Sequence, residues 1–142
     1  VSAAASAVAR LPAVRRALVN VQRRLAREAR IVVEGRDIGT VVFPEAPVKI
    51  FLVASLAERA RRRRSELAER GIVAERSALE AEIRARDESD SRREDSPLRQ
   101  AEDAVRLDTT GLSIEQQVDE VVRITREVLG RGPGSVESGR RG

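Results

Sequence analysis

A β-branched run at residues 31–33 ends in Glu34-Gly35-Arg36-Asp37, so a strand there would deliver three charged side chains at its carboxyl end. In open parallel sheets that edge is where ligands bind, because loops and helix N-termini gather around the strand ends. A guanidinium fork beside carboxylates can grip phosphate and carboxylate groups through the arginine and accept amine or hydroxyl protons through the acids. A second concentration of charge is Arg61-Arg62-Arg63-Arg64, and a third runs from Arg86 to Asp95. The chain contains no cysteine and no histidine. Disulfides, thiolate or imidazole metal sites, and Ser-His or Cys-His nucleophile pairs are thereby excluded. Phosphoryl transfer, carboxylate chemistry or pure binding remain.

The elements that must position these residues are built from aliphatic material. Phe43 and Phe51 are the only aromatic residues, so Val, Leu, Ile and Ala fill the interior, and platforms for stacking single-stranded bases are nearly absent. With 142 residues, one domain is expected. The 27 basic residues include one lysine, Lys49, against 23 acidic residues, for a net charge of +4. The arginine bias fits anionic ligands or a coding bias toward Arg and Ala. No long uncharged apolar stretch reads as a membrane span. The first residues lack a signal-peptide layout, which points to the cytoplasm, and the start at Val1 in place of Met points to an upstream segment.

Pro12 opens an amphipathic helix to about residue 29, with Val14, Leu18, Val21 and Leu25 at helical spacing. Arg15 beside that stripe faces the unfavourable end of the helix dipole unless a carboxylate is near. After the strand at 31–33 come a short apolar segment ended by Pro44 and a second buried strand at 48–53. Ser55 and Glu58 have capping-box spacing for a helix to about Arg70, closed by Gly71. Its inner stripe, Leu56, Ala60 and Leu67, encloses Arg63 and Arg64, so at least one arginine of the run turns toward the protein or a cleft. A helix over 74–86 with a box from Ser77 to Glu80 follows, and 86–95 reads by composition as a solvated linker. A third strand at 104–107 precedes Asp108-Thr109-Thr110-Gly111, and Ser113 with Gln116 caps a last helix reaching Leu129.

The run Glu34 to Pro44, the strand at 48–53, Arg86-Asp87 with Asp90 and Arg93, Ser96-Pro97-Leu98, and Leu107-Asp108-Thr109-Thr110 with Leu112-Ser113-Ile114 resemble bacterial cytidylate (CMP) kinase. The resemblance covers residues 1–129. It implies an α/β fold, a P-loop nucleoside monophosphate kinase-like parallel sheet with flanking helices, missing its amino-terminal strands. The family's P-loop needs glycines before its lysine, whereas Lys49 follows Val48 within a strand. The family's P-loop strand lies between those that 31–33 and 48–53 resemble. A carboxyl-terminal part of such a kinase, inactive in isolation, is therefore expected, with a flexible tail or linker at 130–142.

The resemblance also implies roles. Ser6, Arg15 and Asp37 would read the cytosine, Arg36 and Arg93 would hold the CMP phosphate, and Arg86 and Asp90 the ribose. Arg36, Arg62, Arg63 and Arg93 would act on phosphoryl transfer, Arg62 and Arg63 as part of a mobile lid, and Glu34 would approach Mg2+ through water. CMP or dCMP and ATP are the implied partners of a monomer, with no membrane and no specific nucleic acid. Two other readings stay open at this point. One is a non-catalytic arginine-rich module binding RNA or a protein; the other keeps the kinase and takes the tail as a link to a further domain, as in relatives fused to a GTPase.

Overall fold

The computed structural model describes residues 11–28, 30–92 and 97–130. They divide into two compact units, one within Val1–Glu45 and Arg84–Ala101, the other within Ala46–Ile83 and Glu102–Gly142.

The second of these holds the sheet. Strands β1 (Ile50–Val53) and β2 (Val105–Asp108) pair in parallel, with Ile50 opposite Val105 and Val53 opposite Asp108. Helix α2 (Leu56–Glu69) leaves the end of β1, the first half of α3 (Arg76–Ser91) follows, and α4 (Ile114–Gly130) leaves the end of β2. The architecture is α/β, a parallel sheet with flanking helices, as expected. Ala60, Leu79 and Ile124 are the buried apolar side chains of this unit.

Local sequence sets the helix ends. Ser55 Oγ accepts from Glu58 N at 3.2 Å, but Glu58 does not reach back, because Ser55 N donates to Thr110 Oγ1 at 2.9 Å. The box expected there is thus half formed. That of α4 is complete: Gln116 N donates to Ser113 Oγ at 3.2 Å, and Ser113 N to Gln116 Oε1 at 2.9 Å. Gly71, at φ 74°, closes α2, with Gly71 N bonded to Ala68 O and Ile72 N to Leu67 O, both at 2.9 Å. That left-handed conformation is the reason a glycine stands there.

In the other unit, α1 (Pro12–Glu28) presents a different face from the expected one. Val14, Arg15, Val19, Gln22 and Ala26 are half-buried, whereas Leu18, Val21 and Leu25 are exposed. Residues 31–35 are not a strand, and Val32 is fully exposed. A strand exists only where a neighbour supplies ladder donors and acceptors. Among the described residues the sheet is β1 and β2 alone, so the β-branched run has no ladder to join.

Helix α3 also departs from expectation. It begins at Arg76, so Ser77 lies inside it, and Glu80 pairs with Arg76 at 2.7 Å. It continues through the presumed linker to Ser91, with Asp90 only 2% exposed. Opposite charges four residues apart support a helix as well as they suit a solvated coil, and burial of Asp90 decides between them here.

Candidate functional site

The segment after residues 31–35 folds into a single wide turn, Ile38–Val42, with π-helical bonding. Asp37 O collects Thr40 N at 3.3 Å, Val41 N at 2.8 Å and Val42 N at 3.2 Å, while Phe43 N reaches Ile38 O at 2.7 Å. A run of Ile, Thr and two Val crowds an ordinary α-helical turn, and Pro44 keeps Phe43 out of helical geometry, so the turn widens and stops. Turns of this kind cluster at functional sites.

Asp37, 7% exposed, caps the start of the turn. Its Oδ2 is paired with Arg15 Nη2 from α1, which supplies the carboxylate that Arg15 needs near the helix start. Arg23, two turns further along α1, donates Nε to Val42 O at 2.9 Å and Nη2 to Val41 O at 2.7 Å. Gly35 stands close to the turn: a Cβ there would lie 2.7 Å from Ile38 Cγ1, so a side chain would have to displace Ile38.

A second pairing lies in the same unit. Arg36 Nε stands 3.2 Å from Asp90 Oδ2, and Arg86 Nε stands 3.9 Å from the same oxygen. Burial of Asp90 is tolerable because cations face it, and Leu98 N bonded to Asp90 O at 3.0 Å brings the following segment back beside it. Arg36 and Arg86 are thus brought together at Asp90.

At the carboxyl ends of the parallel strands in the other unit, Arg62 is the arginine that turns inward. It donates Nε to Glu58 Oε1 at 2.8 Å, Nη1 to Thr109 Oγ1 at 3.2 Å and Nη2 to Thr109 O at 2.5 Å. Thr109 is buried and donates its own hydroxyl to Val53 O at 3.0 Å. One arginine of the run thus turns inward as expected, but it is neither of the two enclosed by the apolar stripe: Arg63 and Arg64 are exposed, and Arg63 bonds Glu66 at 2.7 Å. Helical crowding allowed several choices, and Thr109 at the end of β2 selected Arg62. Hydrogen bonds from Arg61 and then Arg62 hold the Glu58 carboxyl down at about 2.

Glu34 is exposed, and no group of three metal-ligating side chains occurs among the described residues. Ser6 and Arg93 lie outside the described residues. The sole lysine, Lys49, pairs with Asp103 at 2.6 Å. Sequence reasoning passed over Arg23, whose neighbours Arg24 and Arg27 look alike in the sequence, and gave no role to Thr109, which appeared there only within the turn after a strand and within a family motif. No described helix is long and apolar enough to cross a membrane.

One unit is a parallel α/β arrangement with polar groups at its strand ends, and the other carries arginine–carboxylate pairs at a wide turn, where guanidinium forks suit phosphate and carboxylate groups. The family model for cytidylate kinase matches residues 1–127, and the chain belongs to that family. Among similar proteins are cytidylate kinases of Streptococcus pneumoniae, from strain Hungary19A-6, serotype 19F (strain G54) and strain ATCC 700669 / Spain 23F-1. Each is 55% identical over 116 residues, covering 82% of this chain and 52% of the relative. The chain therefore spans about half the length of these curated relatives.

Proposed function

We propose that the chain supplies the CMP-binding and lid parts of a nucleotide kinase that passes the γ-phosphoryl group of ATP to CMP or dCMP, giving CDP or dCDP. The observation that carries this reading is the Arg15–Asp37 pair. It sets a donor directly beside an acceptor, and cytosine's edge offers the complement, a ring N3 acceptor beside an N4 amine donor. Asp37 keeps a second oxygen with which to take the amine, and Ser6 serves O2. Uracil inverts this edge, turning an acceptor oxygen toward Asp37. Discrimination on the order of 1–3 kcal/mol follows by analogy with base-edge readout.

Arg36 and Arg93 hold the CMP phosphate on this reading, and Arg86 with Asp90 holds the ribose, where vicinal hydroxyls want an acceptor. The Arg36–Asp90 pair then keeps both side chains in place before the ligand arrives. A CMP phosphate oxygen attacks the γ-phosphorus, the bond from that phosphorus to the β–γ bridging oxygen breaks, and ADP leaves with the electron pair. Arg62 and Arg63 approach the transferred group and stabilise its charge. Arg62 must leave or share Thr109 to do so. Mg2+ belongs to ATP chemistry, and the carboxylate that would meet it here, Glu34, is single and exposed. Mg2+ carried by substrate phosphates keeps several waters and needs only one or two carboxylates, so Glu34 would approach it through water. Residues 1–129 act as one partial kinase domain in a cytoplasmic monomer, and 130–142 as a tail or linker.

The test is Mg-dependent ADP formation by the product of the whole open reading frame, with CMP, dCMP and UMP as acceptors. Turnover with CMP or dCMP well above UMP is expected. No turnover with any of them, or a preference for UMP, overturns the reading.

A further inference from the structure

We propose that Arg23 is a positioning residue for nucleobase selection: it clamps the turn that carries Asp37 to the helix that carries Arg15, and so sets the spacing of the two groups that face the base. The inference rests on the CMP reading above.

The Ile38–Val42 turn satisfies its own amides through Asp37 O and Ile38 O, but that pattern leaves the carbonyls at its far end without amide partners from the turn. Arg23 takes two of them, Val41 O and Val42 O, with two different nitrogens of one planar fork. A lysine would have to serve both carbonyls from one nitrogen on a flexible stem, without the fixed fork. Val42 is also the one described apolar side chain of this unit that is buried, so the clamp closes where the turn is packed.

The turn is joined to α1 at both ends: Arg15 to Asp37 at the start, Arg23 to the carbonyls at the finish. The two joints differ in kind. Arg15 and Asp37 both have to offer hydrogen-bonding capacity to an incoming base, so their mutual hold is shared with the ligand. Arg23 grips backbone oxygens that no base needs, and its hold does not compete with binding. It keeps Asp37, whose carbonyl takes three amides at the cap of the turn, at a fixed distance from α1 while the Arg15–Asp37 pair opens to the base. Arg23 touches no substrate and acts through Asp37.

Arg23→Lys separates this role from charge, and Arg24→Lys serves as the neighbouring control. Amide hydrogen exchange is followed at Val41, Val42 and Phe43 in the ligand-free chain, and at Ile50–Val53 for comparison; CMP and UMP affinities are measured by calorimetry. The clamp role expects exchange at 41–43 to quicken roughly tenfold in Arg23→Lys with β1 unchanged, consistent with loss of a charge-assisted hydrogen bond. CMP affinity should fall roughly tenfold and UMP affinity much less, while Arg24→Lys leaves both as they were. Equal quickening at β1 would make Arg23 merely structural and overturn the proposal. CMP binding whose ratio to UMP is unmoved by Arg23→Lys overturns it too and leaves the functional reading standing. If the unaltered chain has no preference for CMP over UMP, the functional reading fails and this role falls with it; exchange at 41–43 still reports the clamp itself.

Discussion

Asp37, Asp90 and Thr109 are the buried polar side chains among the described residues, and each is met by an arginine: Arg15, Arg36 and Arg62. Burying a carboxylate is costly unless a cation and hydrogen bonds face it, so these contacts carry structural weight as well as any ligand role. Glu58 is the residue whose titration reads one of them directly. Arg61 and Arg62 hold its carboxyl at about 2, below the ordinary 4.5, so the stability it adds is present above 4.5 and drains away as pH falls from there through about 2. A carbon-detected NMR titration should find its midpoint near 2, and Arg62→Ala should raise it. A midpoint unmoved by that substitution would remove Arg62 from the contact. The sequence showed that Arg15 would gain from a nearby anion or carboxylate, because a cation near a helix start is otherwise unfavourable, but local pattern suited a solvated arginine equally well. Which arginine of 61–64 turns inward was not legible, because Thr109 lies 47 residues from Arg62 and helical angles alone admit several candidates.

Elements follow the same division between local and distant causes. The caps of α2 and α4 and the Gly71 stop were readable because each is settled within a few residues. Ser113→Ala should therefore lower stability by about 1 kcal/mol, measured as a shift in thermal unfolding followed by circular dichroism, the chain having no Trp or Tyr. An unchanged midpoint would mean the box adds nothing. The strand expected at 31–33 failed because pairing is not a property of the segment itself: Ile31 and Val32 have β-branched side chains but no ladder to join among the described residues. The solvated linker expected from residue 86 failed in the opposite sense, because α3 continues through 86–91. Composition marks a polyampholyte as solvated, and only the burial of Asp90 opposite Arg36 shows otherwise. On α1 the apolar stripe was correct as periodicity, yet the half-buried face is the one bearing Arg15.

At the scale of the whole molecule, family membership rests on a match across residues 1–127, whereas the composition alone admitted an arginine-rich binder of polyanions. Salt dependence separates the two: a polyanion binder weakens steeply with salt and ignores the base. Many exposed arginines are already paired with acids on their own helices, as in Arg61–Glu58, Arg63–Glu66 and Arg123–Glu127, which leaves less cationic surface than the sequence suggests. The central claim is that Asp37, held beside Arg15, chooses cytosine. It is tested most directly by calorimetric titration of CMP and UMP into the protein and into Asp37→Ala. CMP should bind about tenfold or more tightly than UMP, and Asp37→Ala should abolish that preference while leaving ATP binding by the whole gene product unchanged. Equal affinity for CMP and UMP in the unaltered protein, or an equal loss of CMP and ATP binding in Asp37→Ala, would contradict it.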